Sequence, residues 1–175
     1  MNKYLIIFIL LTGCARNSMP LHSKMVIDSN FSTIEQDTII NSIGQWEKCT
    51  DNLIQIDLSI VDEPQEYGND TGKILQSNER ITRNNPDDIV FGNTTNWPSE
   101  TTIIIYNKSI INSNIPASFQ HVILHEFGHA VGLIHASSGL MTPISTDQIC
   151  IDRLTLNNFC AIHSCSNKNI ISDCL

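Results

Sequence analysis

No stretch of this chain approaches the ~20 consecutive apolar residues that a membrane-spanning helix requires. Positive charge is scarce: 10 Lys and Arg stand against 18 Asp and Glu, a formal charge of −8, and the cations are not clustered. Nucleic acid is therefore argued against as the main partner, because neutralising phosphates takes grouped Lys and Arg, and a polybasic membrane patch is missing for the same reason. Charged residues make up only 16 % of the chain and apolar residues 41 %, which is too hydrophobic and too weakly charged for intrinsic disorder. Internal repeats are absent. A chain of 175 residues with this balance is one folded domain with, at most, a tail.

The N-terminus, MNKYLIIFILLTGC, has one cation at Lys3, an apolar run from Tyr4 to Leu11 and then small residues up to Cys14. A run of that length cannot span a bilayer but fits the core of an export signal. Leu11-Thr12-Gly13-Cys14 resembles the lipobox of bacterial lipoproteins, in which the preceding peptide is removed and the new N-terminal cysteine is acylated. The expected organisation is a signal peptide over 1–13, a lipidated tether over 14–24 beginning at Cys14, and a folded domain over 25–175. Such a protein is held in the bacterial cell envelope, facing away from the cytoplasm, with the membrane as a partner through its lipid.

Along the domain, Met25 to Ile27 reads as a short strand. Ser32-Thr33-Ile34-Glu35 has the S-x-x-E form of a capping box, and Ile39, Ile43 and Trp46 recur at helical spacing, predicting a helix that ends near Cys49. Ile54, Ile56, Leu58 and Ile60 alternate with polar residues, the pattern of a half-buried strand. Residues 62–100 are rich in Asp, Asn, Gly, Pro and Ser and read mostly as loop, with one strand at Asp88 to Gly92. Thr101 to Tyr106 is β-branched and aromatic, hence a buried strand. A long helix is predicted from about Pro116 to Ser118 as far as Gly132, and a last one within Ser145 to Ser164.

Four of the six histidines fall between residues 121 and 135. On a helix, residues four apart lie one turn above each other, so His125 and His129 can present imidazoles to a single ion with Glu126 beside them. His135 cannot join them on a straight helix, because ten residues at ~1.5 Å rise place it ~15 Å away while Zn–N bonds are only ~2.0–2.1 Å. The helix must stop in between, and Gly132 is the residue type that can take the conformation that turns the chain back. Three neutral imidazoles leave one position of a tetrahedral ion for water, the arrangement of a catalytic rather than a structural zinc.

HEFGHAVGLIH, residues 125–135, fits the H-E-x-x-H-x-x-G-x-x-H signature, and the chain is similar to the metzincin zinc metallopeptidases. Gly139-Leu140-Met141-Thr142-Pro143 resembles their Met-turn, with Met141 six residues after the third histidine. Among metzincins the likeness is to the matrixin-type domain. The resemblance implies an α+β fold: a twisted, mostly parallel mixed sheet of about five strands with about three helices. It also implies an active-site cleft between an N-terminal subdomain, about 25–132, and a small C-terminal one, about 133–175. By the same resemblance the protein is a zinc-dependent endopeptidase, with His125, His129 and His135 holding one Zn2+ and Glu126 acting as general base on the attacking water. Its partner is then a protein or peptide substrate, taken as an added strand on an edge near Asp88 to Thr94 by a monomeric enzyme. The pocket for the residue after the scissile bond would lie between the motif helix and the segment following Met141.

Other readings compete. A lipid-anchored zinc-binding or adhesive protein without catalysis can carry the three histidines but has no need of Glu126, and a zinc-stabilised structural lipoprotein predicts a fourth protein ligand. His121, one turn before His125, reads as an ordinary helix residue or a supporting one. The residue after the third histidine is Ala136 where matrix metalloproteinases usually carry Ser, and no Tyr follows Met141. Calcium is a weaker cofactor candidate, offered by the loop acids Asp70, Asp87 and Asp88, since such acids are more often simply solvated. His163, between Cys160 and Cys165, offers a second zinc, but an exported chain more often pairs its cysteines. With Cys14 lipidated, five remain (Cys49, Cys150, Cys160, Cys165 and Cys174), so one thiol is left over and the pairing is open.

Overall fold

A computed structural model describes residues 18–174 apart from 69, 80, 83–88, 98–99, 107–109, 111–117, 144–146 and 167. The expected leader over 1–13, Cys14, Asp87, Asp88, Pro116 and Ser145 lie outside the described residues. Among the described residues no helix is long and apolar enough to cross a membrane.

The first strand, β1 (His22–Asp28), leads into helix α1 (Thr33–Cys49). That helix starts where its sequence says it should: the Glu35 N–H donates to Ser32 Oγ (3.4 Å) and the Ser32 N–H to Glu35 Oε2 (2.8 Å). The chain then returns through β2 (Gln55–Val61), which pairs in parallel with β1. A 3-10 turn at Pro64–Glu66 precedes β3 (Thr71–Ser77), and a two-stranded ribbon, β4 (Ile81–Thr82) with β5 (Ile89–Val90), precedes β6 (Gly92–Trp97) and β7 (Glu100–Tyr106). Helix α2 (Phe119–Ala130) carries the histidine motif, and α3 (Arg153–His163) is the last element. The main sheet has the order β2-β1-β3-β7-β6, parallel throughout except for β6, which runs antiparallel to β7. Among the described residues, the five-stranded, mostly parallel main sheet and three helices make the α+β architecture that the sequence resemblance implies.

The covered face of the sheet supplies Met25, Ile27, Ile74, Ile103 and Ile105, all fully or almost fully buried. Ile39, Ile43 and Trp46 of α1 and Phe127 of α2 complete the core. Trp46 joins the helices: its ring lies 6.1 Å from both Phe127 and Phe159, and its indole N–H donates to the Leu124 carbonyl (3.2 Å). A buried indole with a hydrogen-bonded N–H contributes large apolar area without an unsatisfied donor.

Three expectations are corrected. Residues 71–77 are not loop but the central strand β3, flanked by β1 and β7. Its pattern hid it, because Gly72, Lys73 and Ile74 are buried in succession, and Lys73 is tolerated there only through its ion pair with Glu100 (2.9 Å). The strand expected at Asp88 to Gly92 resolves into the short β5 and, further along, the edge strand β6. The inward face read for Ile54 to Ile60 is graded: Ile54 is fully buried just ahead of β2, whereas Ile60 is 46 % exposed, because β2 is an edge strand where coverage thins. In addition, part of the expected tether is built into the fold: Met19 is buried, its N–H donates to the Ala130 carbonyl (2.8 Å), and β1 begins at His22.

Candidate metal centre

Helix α2 begins at Ser118, whose Oγ accepts from the His121 N–H (3.0 Å), and ends in a paired reverse bond. The Leu133 N–H donates to the Gly128 carbonyl (2.9 Å) and the Gly132 N–H to the His129 carbonyl (3.0 Å), with Gly132 at φ +96°. This is the Schellman arrangement, which needs a residue that tolerates positive φ, and Gly132 is the helix-ending glycine expected. The turn sends the chain back so that His135 faces the helix it has just left.

The result is convergence of the three histidines. His129 Nε2 lies 3.1 Å from His125 Nε2 and 3.1 Å from His135 Nε2, and the three ligand atoms all fall within 4.8 Å of one another. Two rings are oriented from behind by backbone carbonyls: Leu140 O is 2.8 Å from His125 Nδ1, and Leu133 O is 2.8 Å from His129 Nδ1. A carbonyl only accepts, so each Nδ1 carries the proton and each Nε2 presents a lone pair inward. Burial pushes His125 down to about 3, against the upward pull of its bond to Leu140 and with the neighbouring histidines lowering it further. It is neutral at ordinary pH, as a metal ligand must be.

Nitrogen lone pairs this close repel unless a proton or a cation lies between them. Tetrahedral bonds of ~2.0–2.1 Å place ligand nitrogens about 3.3 Å apart, so the donor set fits zinc in identity and in spacing. Exposure rises from His125 through His129 to His135, so the site opens to solvent on the His135 side.

Met141 is fully buried in a turn closed by the Thr142 N–H on the Gly139 carbonyl (3.1 Å), against the helix at Gly128, between the first two histidines. A Cβ on Gly128 would come within 2.5 Å of the Met141 sulfur, so this residue admits the close approach. The turn is held by Asp152, the N-cap of α3. Asp152 Oδ2 accepts from the Leu140 N–H (2.7 Å), Thr155 Oγ1 (2.7 Å) and Gln148 Nε2 (3.0 Å), while Oδ1 accepts from the Thr155 N–H (3.0 Å). Burial raises this carboxyl, but the hydrogen bonds outweigh it and hold the group below the usual carboxylate range. Asp152 thus fixes the residue whose carbonyl orients His125.

The profile of the matrixin peptidases matches residues 19–163. The chain belongs to the matrixin family. No curated protein matches it closely enough to add a named relative. Matrixins are metallopeptidases with a catalytic zinc, and His125, His129 and His135 of this matrixin are the cluster that can hold it.

Glu126 is buried beside the cluster and is held from the edge strand: Thr94 Oγ1 lies 2.7 Å from its Oε2 and 2.9 Å from its backbone carbonyl. Asn96 Nδ2 donates to the His129 carbonyl (2.9 Å). Sequence reading set Thr94 at the end of the substrate edge but not against Glu126, and missed Asn96 and Asp152; Thr94 and Asn96 are uncharged, and nothing local marks their contacts with α2. His121 is buried with its Nδ1 donating to the Gln148 carbonyl (2.8 Å), which ties α2 to the segment ahead of α3 and leaves His121 outside the convergent group. His163 donates through Nε2 to the carbonyl of Val131 (2.6 Å), and its flanking cysteines, Cys160 and Cys165, form a disulfide. A second disulfide joins Cys150 to Cys174, and among the described residues Cys49, which is buried, is the free cysteine. Burial, and then Asp173, pushes the Cys49 thiol up to about 11, which makes it unreactive. Asp70, offered for calcium, is exposed and joins no convergent group among the described residues.

Proposed function

We propose that this matrixin is a zinc-dependent endopeptidase in which His125, His129 and His135 hold the ion and Glu126 is the general base. The observation that carries this reading is the buried Glu126 carboxylate set beside three converging, inward-facing imidazole nitrogens. When bound, zinc supplies Lewis-acid polarisation of a water molecule and of the scissile carbonyl. Glu126 takes a proton from the attacking water and returns it to the leaving amine. An extended substrate adds to β6, which among the described residues pairs only with β7, and its side chain beyond the scissile bond enters between α2 and the segment after Met141. Cys14 carries the lipid that anchors the enzyme in the cell envelope; a Cys14→Ser chain should fail to incorporate labelled fatty acid.

The decisive experiment is digestion of a peptide library by the purified protein with and without a chelator, alongside Glu126→Ala. Zinc-dependent cleavage that Glu126→Ala abolishes while keeping one zinc per chain is expected. Zinc uptake with no cleavage of any peptide would replace the peptidase reading with that of a non-catalytic zinc-binding lipoprotein.

A further inference from the structure

Residues two apart on a strand share a face, and Gly92, Thr94 and Asn96 of β6 all meet helix α2. Each makes a different contact. A Cβ on Gly92 would lie 2.6 Å from Glu126 Cγ, 2.8 Å from Oε1 and 2.9 Å from Cδ, so the glutamate side chain occupies the space that any other residue at 92 would fill. Thr94 places its hydroxyl against Glu126 Oε2 at 2.7 Å, with the carbonyl of the same residue at 2.9 Å. Asn96 grips the helix further on at the His129 carbonyl and is itself fixed by Thr101 Oγ1, which donates to Asn96 Oδ1 (2.8 Å).

We propose that Thr94 is a positioning residue for the Glu126 carboxylate, with Gly92 leaving the space in which that carboxylate is held. The consequence for turnover rests on the reading of Glu126 as general base. A glutamate has three side-chain torsions, and a carboxylate next to the first ligand can point toward the cleft or away from it. A hydroxyl hydrogen bond to a charged acceptor is among the stronger neutral-donor contacts, and here it ties one carboxylate oxygen to a strand clamped to the same helix at Asn96. Because proton transfer needs hydrogen-bond distance to the reacting water, a misplacement of about 1 Å is enough to slow the reaction severely. The rival explanation is that Thr94 merely staples strand to helix through the Glu126 carbonyl. That role affects stability, not the chemical step.

The two are separated with the full chain carrying one zinc. Thr94→Val keeps the β-branched shape and removes the hydroxyl; its kcat should fall about tenfold with KM within about twofold of the parent, and Thr94→Ser should recover at least about half of the parent kcat. Gly92→Ala should lower kcat at least as much with zinc content unchanged. Independently of turnover, a crystal structure of zinc-loaded Thr94→Val should show the Glu126 carboxylate displaced from its position in the parent. A Thr94→Val kcat within twofold of the parent, equal kcat losses in the Val and Ser variants, or an unmoved carboxylate would each overturn the proposal. Absence of zinc-dependent cleavage by the parent overturns the peptidase reading instead, and the crystallographic comparison still decides whether Thr94 holds Glu126.

Discussion

On one side of the site, the contacts that arrange the histidine cluster are short in sequence. His129 leans on the Leu133 carbonyl four residues on, His125 on Leu140 fifteen residues on, and Leu140 on Asp152 twelve residues beyond that. On the other side, β6 reaches Glu126 and His129 across 32 and 33 residues, and those contacts exist only once the sheet has assembled. The geometry of the histidine cluster is thus written largely within one contiguous stretch, while the placement of Glu126, the base we propose, depends on an edge strand from the polar stretch of the chain. Damage to the first side should therefore empty the metal site, and damage to the second should leave the metal in place.

The sharpest break comes from His129→Ala, which removes the ligand central to both 3.1 Å contacts; zinc content measured on the purified protein should fall well below one per chain, with cleavage abolished. Stripping zinc from the unaltered protein comes next. The inward lone pairs of His125 and His129 face each other at 3.1 Å without the ion, so the thermal midpoint should drop by about 10 °C in a calorimetric scan, corresponding to about 4 kcal/mol of bound-state stabilisation at ~1,000 Kd of free zinc.

Asp152→Ala attacks the short-range side without touching a ligand. It deletes an N-cap and leaves the Leu140 N–H without its acceptor, which should cost about 2–3 kcal/mol in denaturant unfolding and weaken zinc about tenfold. Because the folded carboxyl is held below its ordinary value of 3.8, its stabilisation is complete above about pH 5 and disappears as the pH falls through the folded value. Asp152→Asn should accordingly flatten the acid limb of the stability curve below about pH 5.

Asn96→Ala tests the long-range side: a loss of about 1 kcal/mol with zinc content unchanged is expected. The smallest effect belongs to Ile60→Thr on the thinly covered edge strand, within about 0.5 kcal/mol of the parent.

Most of the zinc side is legible in the residues alone. Ser32 and Glu35 announce α1, the four-residue spacing of His125 and His129 needs a helix, and the demand that His135 return requires a breaker, which Gly132 supplies. These signals are local: a period of 3.6, a cap, a residue permitting positive φ. Strand β3 escaped because a buried Lys73 contradicts apolar patterning until Glu100, 27 residues on, is seen beside it. The cysteines show the same divide. Counting leaves one thiol over when Cys14 is set aside, but only proximity in space pairs Cys150 with Cys174 and Cys160 with Cys165 and leaves Cys49 free.

The amino-acid sequence by itself determined which side chains converge, since ligand identity, helical spacing and a glycine break are properties of adjacent residues. Tertiary structure alone decided what holds them: the Leu140 carbonyl behind His125, the Asp152 carboxylate behind Leu140, and the Thr94 hydroxyl on Glu126. A hydrogen bond between distant residues carries no periodicity in the chain. It becomes readable only when strand order and helix packing have brought donor and acceptor within about 3 Å.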